Sequence, residues 1–309
     1  MSIMNVTILG SGLMGNGLAL TFARDKETSV ILRSRNAKAE PLKPVRNNLD
    51  QLVERNAMDP KEAERIIERI TFTTDMKEAL RDADMVVECV LEDMALKQNL
   101  FSEIEPQCKE SCILATNTSV MSVTEIASKV KNKSRLVGTH FWNPPYLIPL
   151  VEVVKGDETS EETMDRTYDF MKKIGKKPVR CQKDVPGFIA NRLQHAIWRE
   201  ALSIVEKGIA DPATVDEALR YGPGLRWPTL GILENVDMIG VDLSLNIQKY
   251  IVKYLEDSHE PSKLLEELVE KGDLGFKTGK GYQTWSEEEI AASNRRLREY
   301  LIDVTKDLQ

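Results

Sequence analysis

Residues 4–15, MNVTILGSGLMG, restrict the fold of this chain more than any other stretch. Residues 4–9 form a short apolar run of the kind buried on both faces of a parallel sheet. Gly10, Gly12 and Gly15 follow at once in G-x-G-x-x-G spacing, and residues 17–23 then read as a helix. A strand that turns on glycines into a helix aims backbone N–H groups and the positive helix end at one point, where a diphosphate binds. The glycine spacing alone recurs by chance, and a tight turn made only for packing is the competing reading. With a second strand at 30–32 closing a unit of about 30 residues, it becomes a dinucleotide-binding signature. Gly10, Gly12, Leu13, Met14 and Gly15 are therefore the expected cofactor turn.

Further strand-like runs fall at 71–74, 84–90, 112–116, 135–141, 150–154 and 178–181, with helical periodicity between most of them. Alternation of this kind predicts an α/β fold, a doubly wound Rossmann-type sheet. Residues 45–70 are charged and helix-periodic, and Asp59-Pro60 supplies a cap and a first-turn proline, so a helical hairpin is predicted there. After residue 184 the strand signals nearly stop and amphipathic helices take over, as in NRLQHAIWREALSIVEKG. The expected organisation is a dinucleotide-binding domain over 1–184 and an all-helical substrate and dimerisation domain over 185–309.

Composition narrows the function by exclusion. A net charge of −7 argues against a nucleic-acid or anionic-membrane surface. No apolar run approaches the roughly 18 residues of a membrane span, and no basic, apolar and small-residue leader is present. Cys89, Cys108, Cys112 and Cys181 include no C-x-x-C and no metal-ligand spacing, which suits a cytoplasmic protein without a metal. His195 and His259 carry no partner pattern.

Four polar groups suit redox chemistry, and two of them lie at strand ends, where ligands of open α/β sheets bind. They are Thr116-Asn117-Thr118-Ser119, then Gly138-Thr139-His140-Phe141-Trp142-Asn143, Glu152 inside LVEVV, and Pro186 to Arg192. Histidine titrates nearest neutrality and suits the proton transfer that accompanies hydride transfer from a secondary alcohol. Amide and hydroxyl donors suit a developing alkoxide. In order and spacing, from about Val6 to Trp285, the chain resembles the 3-hydroxyacyl-CoA dehydrogenase superfamily. The resemblance implies His140 as catalytic base with Glu152 as its partner, and Asn191 and Ser119 as contacts of the substrate oxygen. It places Glu92 and Lys97 at the nicotinamide ribose and implies a homodimer formed through the helical domain. Asn117 is assigned to the cofactor and Asn143 to the substrate. Competing readings are a helix cap for Ser119 and a solvated charge for Lys97.

Two departures bear on cofactor and substrate. An acid about 20 residues after the glycine turn holds the ribose of NAD; here that position is Ser34, flanked by Arg33 and Arg35. A hydroxyl beside a guanidinium receives a 2′-phosphate, so NADP is favoured over NAD, through Ser34 and Arg35. The stretch HFWNPPYLIPLVEVV and the G-L-R-W of residues 224–227 are similar to the carnitine and L-gulonate dehydrogenase branch, whereas residues 233–242 keep the acyl-CoA layout. Arg226 suits a substrate carboxylate; an ordinary ion pair is its competing role. The expected activity is an NAD(P)-dependent hydroxyacid dehydrogenase for a small carboxylate-bearing substrate. A 3-hydroxyacyl-CoA (3-hydroxybutyryl-CoA) dehydrogenase and a non-catalytic nucleotide-binding protein are the alternatives.

Overall fold

The computed structural model describes residues 4–36 and 40–306. Eight strands form one sheet: β1 (Met4–Leu9), β2 (Thr28–Arg33), β3 (Ile70–Thr73), β4 (Met85–Glu88), β5 (Ile113–Thr116), β6 (Leu136–Phe141), β7 (Leu150–Val154) and β8 (Lys177–Cys181). Their order is β3-β2-β1-β4-β5-β6-β7-β8. All neighbours pair in parallel except β6 and β7, so β7 and β8 run against the other six. The strand order reverses between β1 and β4, the switch point where doubly wound sheets open a crevice for ligands.

Helices α1 (Leu13–Ala23), α2 (Leu42–Glu54), α3 (Pro60–Glu68), α4 (Met76–Leu80), α5 (Met94–Ile104), α6 (Val123–Ile126) and α7 (Glu161–Lys173) cover the sheet. Alternate strand residues feed two separate apolar clusters, Met85 and Val87 into one and Val86 into the other. In the first, Phe22 of α1 stacks on Phe170 of α7 at 5.8 Å and meets Phe141 of β6 edge-on at 5.9 Å. The predicted hairpin is present as α2 and α3. Val45, Leu49 and Leu52 share the core with Ala63, Ile66 and Ile67, and Asp59 caps α3 by accepting from the N–H groups of Lys61 and Glu62. Apolar spacings of three and four residues set that inward face.

The rest is helical: α8 (Ala190–Glu206), α9 (Pro212–Tyr221), α10 (Pro223–Arg226), α11 (Ile232–Ile239), α12 (Val241–Ile251), α13 (Lys263–Glu270) and α14 (Glu287–Thr305). The chain forms two compact units, one up to Arg192 together with the residues from Arg296, the other Leu193–Arg295. The division between these units falls inside α8, and the last turns of α14 belong with the sheet. There Ile302 is buried and Arg55 pairs with Asp303 at 3.1 Å. Within the second unit, helices α9 to α13 contain no buried residue. Large apolar side chains there face outward, among them Leu233, 79% exposed, with Leu225, Met238 and Tyr250.

Candidate active site

The glycine turn closes the carboxyl end of β1. Gly10 has φ +120°, and a Cβ on it would lie 2.5 Å from the Cys89 carbonyl oxygen. A Cβ on Gly15 would lie 1.8 Å from the Gly10 carbonyl oxygen, so the turn tolerates no side chain at that position. Gly12 caps α1 without a side-chain hydrogen bond, the first turn holds no acid, and nothing lies within 4 Å of where a Gly12 Cβ would stand. Leu13 is exposed, and Met14 packs partly against the core. An open, uncapped helix N-terminus with free space before it fits the diphosphate of a dinucleotide.

At the end of β2, Ser34 is buried and its Oγ accepts from the Asn36 N–H at 3.2 Å. Arg35 is exposed and makes no ion pair with a described residue. Arg33 is half-buried, and its Nε has no described partner.

The antiparallel pairing of β6 and β7 sets His140 opposite Glu152. Nδ1 of His140 lies 2.7 Å from Oε2 of Glu152, and both side chains are buried. Oε1 of Glu152 accepts from the N–H groups of Ile189 at 2.8 Å and Ala190 at 3.0 Å, at the start of α8. Burial works to raise the Glu152 pKa, but the His140 hydrogen bond and the two amides outweigh it and hold the carboxyl below its usual range. The imidazole is wedged between Trp142 and Phe188, with ring centroids 5.7 Å from each. A carboxylate on Nδ1 fixes the tautomer with its proton there and leaves the Nε2 lone pair to accept one.

Ser119 follows β5 and is exposed, with its hydroxyl bonded to no described residue. It does not cap a helix: Ser122 caps α6, accepting from the Glu125 N–H at 3.1 Å. Asn191 donates from Nδ2 to the Ser119 carbonyl at 3.0 Å, which brings the two together. Asn117 accepts from the Phe141 N–H at 3.0 Å, tying the end of β5 to that of β6. Asn143 is exposed beyond β6. Glu92 accepts from the Thr118 hydroxyl and, at 2.9 Å, from the Ser119 N–H. Burial raises its pKa, yet Thr118, Lys97 and the amide bring it below the ordinary value. Lys97 is no solvated charge. It is 1% exposed, with Nζ at 2.7 and 2.9 Å from the oxygens of Glu88 and 3.2 Å from Glu92, which occupies all three of its N–H groups.

Sequence reasoning did not single out Glu88, although an acid ending the apolar run Met85-Val86-Val87 marks it. Arg226 ends α10 in the second unit, exposed and in no ion pair with a described residue. Among the described residues no cluster of His, Cys, Asp and Glu suits a metal, and no helix is long and apolar enough to cross a membrane.

The family model of the 3-hydroxyacyl-CoA dehydrogenase NAD binding domain matches residues 5–185, and that of the C-terminal domain matches residues 187–285. The 3-hydroxybutyryl-CoA dehydrogenase of Clostridioides difficile is 35% identical over 286 residues, 92% of this chain and 100% of the relative. The 5-formyl-3-hydroxy-2-methylpyridine 4-carboxylate 5-dehydrogenase of Mesorhizobium japonicum is 28% identical over 307 residues, 99% of each chain. A crystal structure of the 5-dehydrogenase of that pyridine carboxylic acid, described as an NAD+ dependent dismutase, superposes with a TM-score of 0.91 at 28% identity, covering 100% of this chain and 99% of that one. With both domains matched, and with a dinucleotide turn and a histidine–glutamate pair in one sheet, the chain belongs to the 3-hydroxyacyl-CoA dehydrogenase family and is a nicotinamide-dependent dehydrogenase acting on CH–OH groups.

Proposed function

We propose that the chain oxidises and reduces a small, carboxylate-bearing hydroxy acid at His140, with NADP preferred over NAD. The observation that carries the reading is the buried His140–Glu152 pair at 2.7 Å, with a Ser119 hydroxyl bonded to no described residue and Asn191 held to the same loop. The bound nicotinamide supplies hydride exchange with the carbinol carbon. His140 Nε2 takes the hydroxyl proton in the oxidising direction and returns it in the other, and Glu152 favours the imidazolium in between. Ser119 Oγ and the second N–H of Asn191 Nδ2 donate to the substrate oxygen. Glu92 orients the cofactor ribose side of the site, and Lys97 acts on it through Glu92.

Two observations support a free acid over a thioester. Arg226 has no carboxylate partner of its own among the described residues, and a full-length relative acts, by its name, on a pyridine carboxylate. The acyl-CoA reading is favoured by the 35% identity to a 3-hydroxybutyryl-CoA dehydrogenase. The cofactor preference rests on Ser34 and the exposed Arg35, with Arg33 minor. A homodimer is supported by the uncovered apolar helices of the second unit, and a cytoplasmic location by four free cysteines.

The deciding experiment follows nicotinamide absorbance with free 3-hydroxy acids and with 3-hydroxybutyryl-CoA, each with NAD and NADP. Turnover of a free acid that is weakened by Arg226→Ala, through loss of a charge-assisted bond of about 1.5–3 kcal/mol, supports the reading. Turnover of the thioester alone overturns it. Ser34→Asp with Arg35→Gln should move kcat/KM toward NAD; a wild type already preferring NAD about tenfold, or roughly 1.4 kcal/mol, overturns the cofactor preference.

A further inference from the structure

Behind Lys97 lies a buried carboxylate to which the proposed reaction assigns no part. Glu88 ends β4 with no solvent exposure, and its carboxylate faces Lys97 of α5, which is as deeply buried. The same carboxylate accepts from the Val90 N–H and from the Thr116 hydroxyl, each at 2.7 Å. Burying such a pair is a poor source of stability, because desolvating both charges offsets most of their attraction. What it fixes is position, in two directions. Toward the cofactor turn, the Val90 bond holds the segment whose Cys89 carbonyl is packed against Gly10. Toward the substrate loop, Lys97 reaches Glu92 at 3.2 Å, and Glu92 holds Thr118 and the Ser119 N–H. Independently of that pair, the main-chain carbonyl of Glu88 accepts from the Asn117 N–H at 3.0 Å, and the Asn117 side chain holds the Phe141 N–H next to His140.

We infer that Glu88 is a positioning residue for the reaction: acting through Lys97 and Glu92, it holds the loop that carries Ser119 in register with the Gly10 turn. Because Glu92 takes the Ser119 N–H, only the serine hydroxyl is left to face the substrate, and its direction is set by this chain of contacts. The inference rests on the proposed role of Ser119 at the substrate oxygen.

The test uses the full-length enzyme with 3-hydroxybutyrate or 3-hydroxybutyryl-CoA, whichever the wild type turns over, at saturating cofactor. Glu88→Gln keeps the shape of the side chain and removes its charge, and should lower kcat at least tenfold. Combined with Ser119→Ala it should cost no more than the worse single change, since both act on one group. Glu88→Gln with Lys97→Met removes both buried charges; it should regain thermal stability lost in Glu88→Gln without regaining kcat. If Glu88→Gln does not fold, that double variant carries the same comparison with Ser119→Ala. A kcat within twofold of wild type in a folded Glu88 variant, or losses that multiply with Ser119→Ala, overturns the inference and leaves the role of Ser119 standing. A Ser119→Ala enzyme with unchanged turnover removes that role and the inference together.

Discussion

At the scale of single residues, the chemistry depends on what surrounds one imidazole. His140 is almost fully buried, yet each atom of its partner is committed: one Glu152 oxygen to Nδ1, the other to the amides that open α8. Those hydrogen bonds hold the Glu152 carboxyl below its usual range, and a carboxylate on Nδ1 fixes the imidazole tautomer in advance. His140→Gln should leave cofactor affinity nearly unchanged, as measured by quenching of protein fluorescence, while turnover falls about 10²- to 10⁴-fold. Glu152→Gln should also slow turnover, because a neutral amide supports the imidazolium less. Near-normal turnover in His140→Gln would remove the histidine from the mechanism.

At the scale of elements, the site depends on where strands end and which way they run. The register of β6 with β7 puts His140 and Glu152 opposite each other across a single pairing. The glycine turn is as demanding, since α1 can start only if Gly15 passes within contact of the Gly10 carbonyl. Gly15→Ala should therefore displace the start of α1 and weaken NADH binding by about 100-fold or more, roughly 2.7 kcal/mol. Retention of wild-type affinity, read by NADH fluorescence, would mean that the helix N-terminus does not carry the diphosphate.

At the scale of the whole molecule, the two units differ in how they are stabilised. The sheet unit has two apolar clusters of its own, whereas helices α9 to α13 bury no residue and present Leu225, Leu233, Met238 and Tyr250 to the outside. Apolar surface on this scale is covered by association in most proteins that keep it. A second copy of the chain should cover it. Light scattering should then give about twice the 34.9 kDa chain mass. The thermal midpoint should rise with protein concentration, as it does when folding and association are linked. A monomer with a concentration-independent midpoint would contradict this.

Much of this was legible in the order of residues. The glycine turn, the hairpin at 45–70 with its Asp59-Pro60 start, and the strands from β1 to β8 are local patterns, because backbone geometry and side-chain periodicity act over a few residues. His140, Glu152, Ser119 and Asn191 are picked out through the resemblance to the 3-hydroxyacyl-CoA dehydrogenase superfamily, with residue types that suit the chemistry. The tertiary structure decided what each one touches. It paired His140 with Glu152 through the register of β6 with β7, moved the helix cap from Ser119 to Ser122, and turned Lys97 from a candidate surface charge into the centre of a buried network with Glu88. The reason is physical. Burial and hydrogen bonding depend on residues distant in sequence, 9 positions apart for Lys97 with Glu88, 79 for Asn5 with Asp84 and 248 for Arg55 with Asp303, and only the folded chain brings such groups within hydrogen-bonding distance.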